Sequence, residues 1–369
     1  MFTLGISIVI PSKGRVNLLG DLLESVFIAR QNYSGKSEVI VVDDSNEKDS
    51  LEIKELCKKY DCKMMYFSPS VAGKRNYGGR YAEHEIILYL DSDCLATPNL
   101  INEHLKLYED KSVGAVLGLL EFTGEDTWFW KAAGNSQFVT SFYLARHAKN
   151  VSWGPSANFS VRKDVFIETQ GFDEGFPNKP GGEDVDFGLR INKLGYKIAC
   201  TPYGLVYHSK KTWIPVKDMF KRVWYYGSSD YFLMKKHPDF LMNVLPRRSL
   251  IYFLFLIITV ILSFFKSWLL LISFPALLIF DIGLTSILIN KCTYIKQTNF
   301  LQQFVNQTLV LTNELGFMVK ALKKNSIHYW FKQIVTFDGQ LESQINSGSL
   351  LLWSHFISLF ILLFLAMII

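Results

Sequence analysis

The first 112 residues alternate short apolar runs with amphipathic stretches, and this alternation leaves few folds open to the chain. Each apolar run has the length of a buried strand, and each amphipathic stretch has the length of a helix. Strands and helices that alternate at this pace predict parallel strands joined by right-handed helical crossovers. The predicted fold class is therefore α/β, with a mostly parallel sheet and helices on both faces. The predicted strands are Ile6–Ile10, Val39–Val42, Met64–Phe67 and Ile86–Leu90, and the predicted helices cover residues 16–29, about 47–60 and a stretch from about Lys74.

Polar residues follow three of these predicted strands, at the edge where parallel sheets bind ligands. The three segments are Pro11-Ser12-Lys13-Gly14-Arg15, Asp43-Asp44-Ser45 and Asp91-Ser92-Asp93. One acidic turn alone is more often a helix cap or a turn than a binding site. Three such segments at one edge favour a site, and carboxylates at positions i and i+2 of an extended chain point the same way. Asp91 and Asp93 are thus candidates to bridge a divalent cation to a diphosphate.

The next part of the chain, about residues 113–215, loses the regular alternation of strands and helices and is rich in Gly, Trp and Phe. Its most distinctive feature is the segment Pro180-Gly181-Gly182-Glu183-Asp184-Val185-Asp186. This segment leads into a predicted helix over 184–194, which Glu183 and Asp184 would open. Glycines let a backbone approach a ligand, and the positive end of a helix dipole favours ionised carboxylates. The alternative, that both acids only cap this helix, stays open at this point.

Three long apolar runs, at residues 250–265, 268–289 and 350–369, each approach or reach the roughly 20 residues that cross a bilayer. Core helices of a soluble protein are the alternative, but so many adjacent, uniformly apolar helices exceed what a small core needs. Lysines fill the stretch at 290–349, and Arg247-Arg248 precede the first run, which predicts that both flanking parts face the cytoplasm. Five scattered cysteines fit the same reducing compartment.

The predicted organisation is a globular domain at 1–215, an interfacial amphipathic segment at 216–245 and a membrane region at 246–369. The membrane region comprises about three transmembrane helices and a cytoplasmic connector at 290–349, so the expected location is the cell membrane, as a multi-pass protein. The net charge is +5, and no basic stripe interleaves with stacking aromatics. The charge therefore predicts attraction to an anionic membrane surface, and nucleic acid is excluded as a partner.

Six motifs follow one another over about residues 5–210: Ser7-Ile8-Val9-Ile10-Pro11, Val41-Val42-Asp43-Asp44-Ser45, Gly73-Lys74-Arg75-Asn76, Asp91-Ser92-Asp93, Gly182-Glu183-Asp184-Val185-Asp186 and Val206-Tyr207-His208. Taken together, they resemble glycosyltransferase family 2 in order and spacing, in its membrane-anchored bacterial or archaeal form. The resemblance implies a GT-A fold, which is Rossmann-like, with a nucleotide-sugar half at about 1–112 and an acceptor half at about 113–215. It also implies a nucleotide-sugar donor, with a UDP-sugar favoured, a Mn²⁺ or Mg²⁺ cofactor, and inversion at the anomeric carbon.

The resemblance also implies roles for individual residues. The predicted donor-binding residues are Pro11, Arg15, Asp43 and Asp44 around the nucleoside, and Lys74, Arg75 and Asp91 around the diphosphate. The metal would be held by Asp93, more loosely by Asp91, and by His208 as a nitrogen ligand. An inverting transfer needs one carboxylate to accept the acceptor's proton, and Asp184 is the expected base, with Glu183 as the fallback. A shift of one residue in the helix start would exchange the two.

These expectations combine into a membrane-anchored, metal-dependent, inverting glycosyltransferase that acts on a lipid-linked or glycan acceptor in cell-envelope or polysaccharide biosynthesis. Processive relatives carry Gln-x-x-Arg-Trp before the membrane region, whereas this chain has only Arg222-Val223-Trp224, which favours a single transfer. A polyprenyl-phosphate glycosyl synthase, in which a phosphate attacks, is the first alternative. A non-catalytic sugar-nucleotide-binding membrane protein is the second. A nucleotidyltransferase is disfavoured because no Gly-rich pyrophosphorylase-like loop opens the chain.

Overall fold

The fold is described from a computed structural model that covers residues 4–177, 181–244, 246–292 and 299–334, together with residues 357, 358, 360, 361, 364 and 368. Its contacts divide the chain into two compact units. Unit 1 comprises residues 1–125 and 139–213, and unit 2 comprises residues 126–138 and 214–369.

The strands and helices follow in chain order. The strands are β1 (Ile6–Ser12), β2 (Ser37–Asp43), β3 (Lys63–Tyr66), β4 (Ile86–Leu90), β5 (Cys94–Ala96), β6 (Val113–Thr123), β7 (Asn150–Val151), β8 (Asn158–Arg162), β9 (Lys197–Ser209), β10 (Leu241–Asn243) and β11 (Lys332–Ile334). The helices are α1 (Val16–Gln31), α2 (Glu47–Lys59), α3 (Val71–Tyr81), α4 (Leu100–Leu105), α5 (Trp128–Ala133), α6 (Gln137–Thr140), α7 (Lys163–Glu168), α8 (Glu183–Lys193), α9 (Val216–Lys236), α10 (Arg248–Phe265), α11 (Leu270–Cys292) and α12 (Phe300–Lys323).

Within the described residues, the strands β1–β9 form one mixed sheet in the order β3-β2-β1-β4-β8-β6-β9-β5, and β7 pairs with β9. The strands β3, β2, β1 and β4 are parallel, as the sequence predicts. Beyond them β8 is antiparallel to both β4 and β6, whereas β6 and β9 are parallel. The expected α/β class is confirmed, and the purely parallel part is confined to the first ninety residues.

Every residue of β1 and β4 is buried, because helices cover both faces of this part of the sheet. Parallel pairing aligns Ser12 at the end of β1 with Asp43 at the end of β2, and it aligns Val9 with Tyr89 near the end of β4. The polar segments that follow the three strands therefore share one edge of the sheet. This edge is the one at which the sequence predicts ligand binding.

Helix α3 begins at Val71, three residues before the expected position, because the Ser70 hydroxyl caps it by accepting from the Gly73 amide. The helix lies against β1 and β2 at close range. A Cβ at Gly78 would overlap Val9 Cγ1 and would come within 3.2 Å of Val42 Cγ2. The earlier start puts Lys74 and Arg75 beyond the first turn, where both side chains are buried.

Unit 2 is built around the pairing of α9 with α12. Glycines allow the two backbones to touch, since a Cβ at Gly227 would overlap the Asn313 carbonyl and one at Gly316 would overlap the Trp224 carbonyl. The Ser228 hydroxyl donates across the pair to the Gly316 carbonyl at 3.2 Å. The predicted connector thus contains a long helix, α12, that packs along the predicted interfacial helix α9.

Two helices of unit 2, at Arg248–Phe265 and Leu270–Leu288, are long and apolar enough to cross a membrane by length and composition. They correspond to the first two predicted spans. The acidic residue in the second span, Asp281, is buried and accepts a hydrogen bond from the Tyr252 hydroxyl of α10. A hydrogen-bonded partner of this kind is what a carboxyl group in an apolar helix requires. The third predicted span, 350–369, lies largely outside the described residues.

Close packing at Gly78 gives a test of the α3 position. We expect Gly78→Ala to destabilise unit 1 by about 1–3 kcal/mol, because the added methyl group must displace Val9 in a filled core. The matched control is Gly20→Ala in α1, where the nearest atoms, both methyls of Leu56, lie 3.6 Å from the added carbon. The control should be neutral or more stable by up to about 1 kcal/mol. Amide hydrogen exchange of β1 and β2 in the full chain measures both effects, and equal protection in the two variants would contradict the packing.

Candidate active site

Asp93 and His208 are 115 positions apart in the sequence, and the pairing of β5 with β9 brings them together. In this antiparallel pair Cys94 stands opposite His208, and the Ser209 amide donates to the Asp93 carbonyl at 2.9 Å. His208 Nε2 consequently lies 3.5 Å from Asp93 Oδ1 and 4.0 Å from Asp91 Oδ2. Both Asp93 and His208 are buried, so their mutual orientation is fixed by the sheet.

The chemistry of this cluster fits a divalent cation. His208 Nδ1 lies 3.1 Å from the Ser209 carbonyl oxygen, which can only accept, so Nδ1 carries a proton. Nε2 then faces the carboxylates of Asp91 and Asp93, and a metal ion among the three groups would find a nitrogen and two oxygen ligands. Asp93, Cys94 and His208 place one ligand atom each within 4.8 Å of one another. Oxygen and imidazole ligands are the part of this set that suits Mn²⁺ or Mg²⁺, because a thiol prefers softer metals.

Arg75 connects this cluster to the second half of the site. Its Nη2 donates to Asp91 Oδ1 at 2.9 Å, and its Nη1 donates to Glu183 Oε1 at 3.0 Å. The guanidinium is buried and lies over the ring of Phe172, with 5.4 Å between Cζ and the ring centroid. Burial alone would raise the pKa of Asp91, but the charges of Arg75 and His208 hold that pKa below its usual value.

Helix α8 presents Glu183 and Asp184 at its N-terminus. Gly181 and Gly182 precede it with φ angles of 105° and 101°, a region that other residues rarely adopt, and the chain turns there into the helix. Burial and, to a smaller extent, the neighbouring charge of Glu183 raise the pKa of Asp184 to about 7, against the opposing charge of Arg75. Glu183 is held in an ion pair with Arg75, whereas the carboxyl group of Asp184 has a pKa suited to proton transfer near neutral pH.

The ends of β1 and β2 form a second polar group. Lys74 Nζ donates to the Ser12 carbonyl at 2.6 Å and to Asp44 Oδ1, and burial lowers the pKa of this lysine although Asp44 opposes the effect. Asp43 accepts from the Ser45 hydroxyl at 2.6 Å. Pro11 is buried within β1. The predicted nucleoside-binding carboxylates therefore lie together, and each one has a partner within the protein.

Arg15, which the sequence places beside the nucleoside, bonds to the predicted metal site. Its Nη1 donates to Asp93 Oδ2 at 2.7 Å, and its Nη2 lies 3.3 Å from the Ser92 hydroxyl. The backbone of Arg15 has a φ of 53°, immediately after Gly14 at 57°. These two left-handed residues form the turn from β1 into α1. The predicted donor-binding cations thus separate into Lys74, which bonds to Asp44, and two arginines, which bond to the carboxylates of the predicted metal site.

Sequence reasoning missed several residues that shape the site. Asn76 clasps the chain at Phe172 with two bonds, since its Oδ1 accepts from the Phe172 amide at 2.7 Å and its Nδ2 donates to the Phe172 carbonyl at 2.8 Å. Thr212 places its hydroxyl 3.4 Å from Asp93 Oδ2. Three rings surround His208 and orient it: Phe122, Phe142 and Trp213. Asn76 belongs to a quoted motif and could have been found there, whereas the rings carry no recognisable spacing.

Curated relatives of this chain are similar over about half of its length. It is 26% identical to the O-antigen biosynthesis protein RfbC of Myxococcus xanthus, over 55% of this chain and 17% of that protein. It is 24% identical to the probable glycosyltransferase YdaM of Bacillus subtilis, over 56% of this chain and 51% of that protein. It is 28% identical to the pre-mycofactocin glycosyltransferase of Mycobacterium tuberculosis, over 47% of this chain and 36% of that protein. The chain therefore spans about half the length of these relatives or less.

Among solved structures, the mannosyltransferase PcManGT from Pyrobaculum calidifontis, in complex with GDP-Man and Mn²⁺, is similar with a TM-score of 0.49. The match covers 97% of this chain and 88% of that one, at 11% sequence identity. A model of the family described as "Glycosyltransferase like family 2" matches residues 7–232, which include every residue of the cluster described above. The mixed sheet, the carboxylates at its edge and this match lead to one conclusion: the chain belongs to glycosyltransferase-like family 2.

Proposed function

We propose that this protein is a membrane-anchored, metal-dependent, inverting glycosyltransferase that moves a sugar from a nucleotide-sugar donor to a lipid-linked or glycan acceptor. Family membership supports the transfer of a sugar, and curated relatives carry names of glycosyltransferases and of O-antigen biosynthesis. The two apolar helices of unit 2 support a membrane anchor, which would bring the enzyme to an acceptor carried by lipid. The relatives' names range from O-antigen biosynthesis to pre-mycofactocin glycosyltransferase, and the acceptor of this chain is proposed by class alone.

One observation carries the proposal: the Arg75 bridge between Asp91 and Glu183. Asp91 belongs to the edge of the sheet where a diphosphate would bind, and Glu183 stands next to the candidate base, Asp184. A displacement at a sugar carbon needs these two functions on opposite sides of the reacting centre. A buried arginine that is bonded to both fixes their separation before any substrate arrives.

In the proposed reaction an acceptor oxygen forms a bond to the anomeric carbon, and the bond from that carbon to the β-phosphate oxygen breaks. The acceptor's proton passes to Asp184, and the electron pair leaves with the nucleoside diphosphate. Asp93, Asp91 and His208 would hold Mn²⁺ or Mg²⁺, which supplies positive charge to the departing diphosphate. Asp44 and Lys74 would contact the nucleoside end of the donor.

The defining experiment supplies purified protein in detergent with Mn²⁺, membrane lipid extract and a panel of nucleotide sugars, beginning with UDP-sugars. We expect one donor to be turned over in a lipid-dependent reaction, with release of nucleoside diphosphate and an inverted anomeric centre in the product. Asp93→Asn should abolish turnover. Donor binding without any turnover across the panel would contradict the transferase and support a sugar-nucleotide-binding protein.

The role of Asp184 can be separated from the effect of removing a charge. We expect Asp184→Asn to lower kcat by about 10²–10⁴-fold, because the acceptor hydroxyl then loses its general base. The matched control is Asp164→Asn on α7, which also removes one carboxylate. Asp186→Asn is unsuitable because Asp186 is buried in an ion pair with Arg190. A loss below about tenfold in Asp184→Asn would favour the polyprenyl-phosphate glycosyl synthase, whose phosphate nucleophile needs little base catalysis.

The pH dependence follows from the raised pKa of Asp184. The base acts when ionised, so kcat/KM should rise about tenfold per pH unit below pH 7 and level off above it. Glu183→Gln removes a neighbouring negative charge that raises this pKa, and the acidic limb of the profile should therefore move to lower pH. Measurement of kcat/KM between pH 5 and 9 tests both statements, and an unchanged limb in Glu183→Gln would contradict the assignment.

The Arg75 bridge should also contribute to the free energy of unfolding. We expect Arg75→Met to lower the free energy of unfolding by about 3–5 kcal/mol, because Asp91 and Glu183 would lose the cation that pairs with both. The matched control, Arg80→Met, lies on the same helix with a mostly exposed side chain that pairs with Glu174 at 3.6 Å, and should cost less than about 1 kcal/mol. Denaturant unfolding of the full chain compares the two, and equal costs would contradict a structural role for the bridge.

A further inference from the structure

The two carboxylates assigned to the metal each have an arginine already bonded to them. Arg75 donates to Asp91, and Arg15 donates to Asp93. These four side chains sum to zero charge, and a divalent cation gains little from a neutral cluster compared with one that holds two unpaired carboxylates. Any cation that binds there must therefore overcome the charge of the arginines or cause one of them to move.

The two arginines differ in their freedom to move. Arg75 is buried, is bonded to a second carboxylate at Glu183 and lies over Phe172. Arg15 has a side chain that is 40% exposed, and within the described part of the chain its guanidinium bonds only to Asp93 and to the Ser92 hydroxyl. Arg75 is thus a fixed member of the site, and Arg15 is the one that can change partners.

The contacts of Asp93 show how the exchange would operate. Arg15 occupies Oδ2, whereas Oδ1 faces His208 at 3.5 Å. The guanidinium therefore neutralises the carboxylate from one side and leaves the side toward the imidazole open. A diphosphate offers several charged oxygens in a geometry that a guanidinium binds with two hydrogen bonds, and it is a stronger partner than one shared carboxylate oxygen.

We propose that Arg15 is an exchange residue: it neutralises Asp93 until a donor binds and then moves to the donor's diphosphate, so that Asp93 becomes available to the metal together with the donor. This inference rests on the proposed function, because it takes the donor and the metal from it. It adds that the two ligands bind cooperatively through one named side chain. By linkage, the donor must raise the affinity for the metal by the same factor by which the metal raises the affinity for the donor.

The test is Mn²⁺ binding by the full chain in detergent, measured from the electron paramagnetic resonance signal of free Mn²⁺ without nucleotide. The variant is Arg15→Asn, because asparagine tolerates the left-handed backbone of this position and the turn should remain folded. We expect Arg15→Asn to bind Mn²⁺ at least about fivefold more tightly than the wild type, at the lower end of typical coupling between sites. Arg15→Lys, which keeps the charge, should stay close to the wild type.

Lys13→Asn is the matched control. Lys13 stands two residues before Arg15, and its Nζ lies 3.4 Å from Asp44 Oδ2, so this variant also removes one positive charge. It should leave the Mn²⁺ affinity within about twofold of the wild type. Equal tightening in Lys13→Asn and Arg15→Asn would overturn the proposal, because the general potential and not the Asp93 pair would then set the affinity.

The second measurement is equilibrium dialysis of labelled UDP and GDP with and without Mn²⁺, corrected for the metal–nucleotide complex in the protein-free chamber. We expect Mn²⁺ to raise nucleotide affinity about 5- to 150-fold in the wild type and clearly less in Arg15→Asn. An unchanged coupling in Arg15→Asn, or an unchanged Mn²⁺ affinity, would overturn the exchange while leaving the transferase intact. If Asp93→Asn binds Mn²⁺ like the wild type, the metal site itself fails, and the exchange fails with it.

Discussion

The site is organised by a single buried guanidinium. Arg75 holds one carboxylate on the strand side, Asp91, and one on the helix side, Glu183, and both bonds are near 3 Å. A buried charge persists only where its partners satisfy it, so the positions of β4, α3 and α8 are constrained together. Asn76, the next residue, adds two bonds to the backbone of Phe172. Two adjacent residues of one helix thus connect the parallel half of the sheet to the segment that leads into α8.

The sequence predicted the framework well because periodicity is a local property. The strands at 6–12, 37–43 and 86–90 and the helices between them lie close to the expected positions, and the acidic segments do share one edge. The start of α3 was expected three residues too late, because the capping hydroxyl of Ser70 gives no periodic signal. The antiparallel insertion of β8 beside β4 was also not visible, since strand order depends on contacts between distant parts of the chain.

The candidate site was predicted as a set of residues, but the pairing among them was not. Ordered motifs named Arg15, Arg75, Asp91, Asp93 and His208, yet they did not indicate which cation meets which carboxylate. Ion pairs such as Arg15 with Asp93 join residues 78 positions apart, and only the tertiary fold decides them. The choice between Glu183 and Asp184 illustrates the same limit. Their chemistry is nearly identical in the sequence, and the contact with Arg75 separates their environments.

The short strand β5 has a consequence for how the site opens. It contains three residues and forms the edge of the sheet, and its pairing with β9 sets the distance between Asp93 and His208. Edge strands of this length separate from a sheet far more readily than a domain unfolds. Detachment of residues 94–96 would scatter the carboxylate and the imidazole while the parallel core stayed intact. The integrity of the cluster is therefore governed by a local opening equilibrium, and substitutions that loosen this edge would impair the cluster in a protein that still melts at its normal temperature.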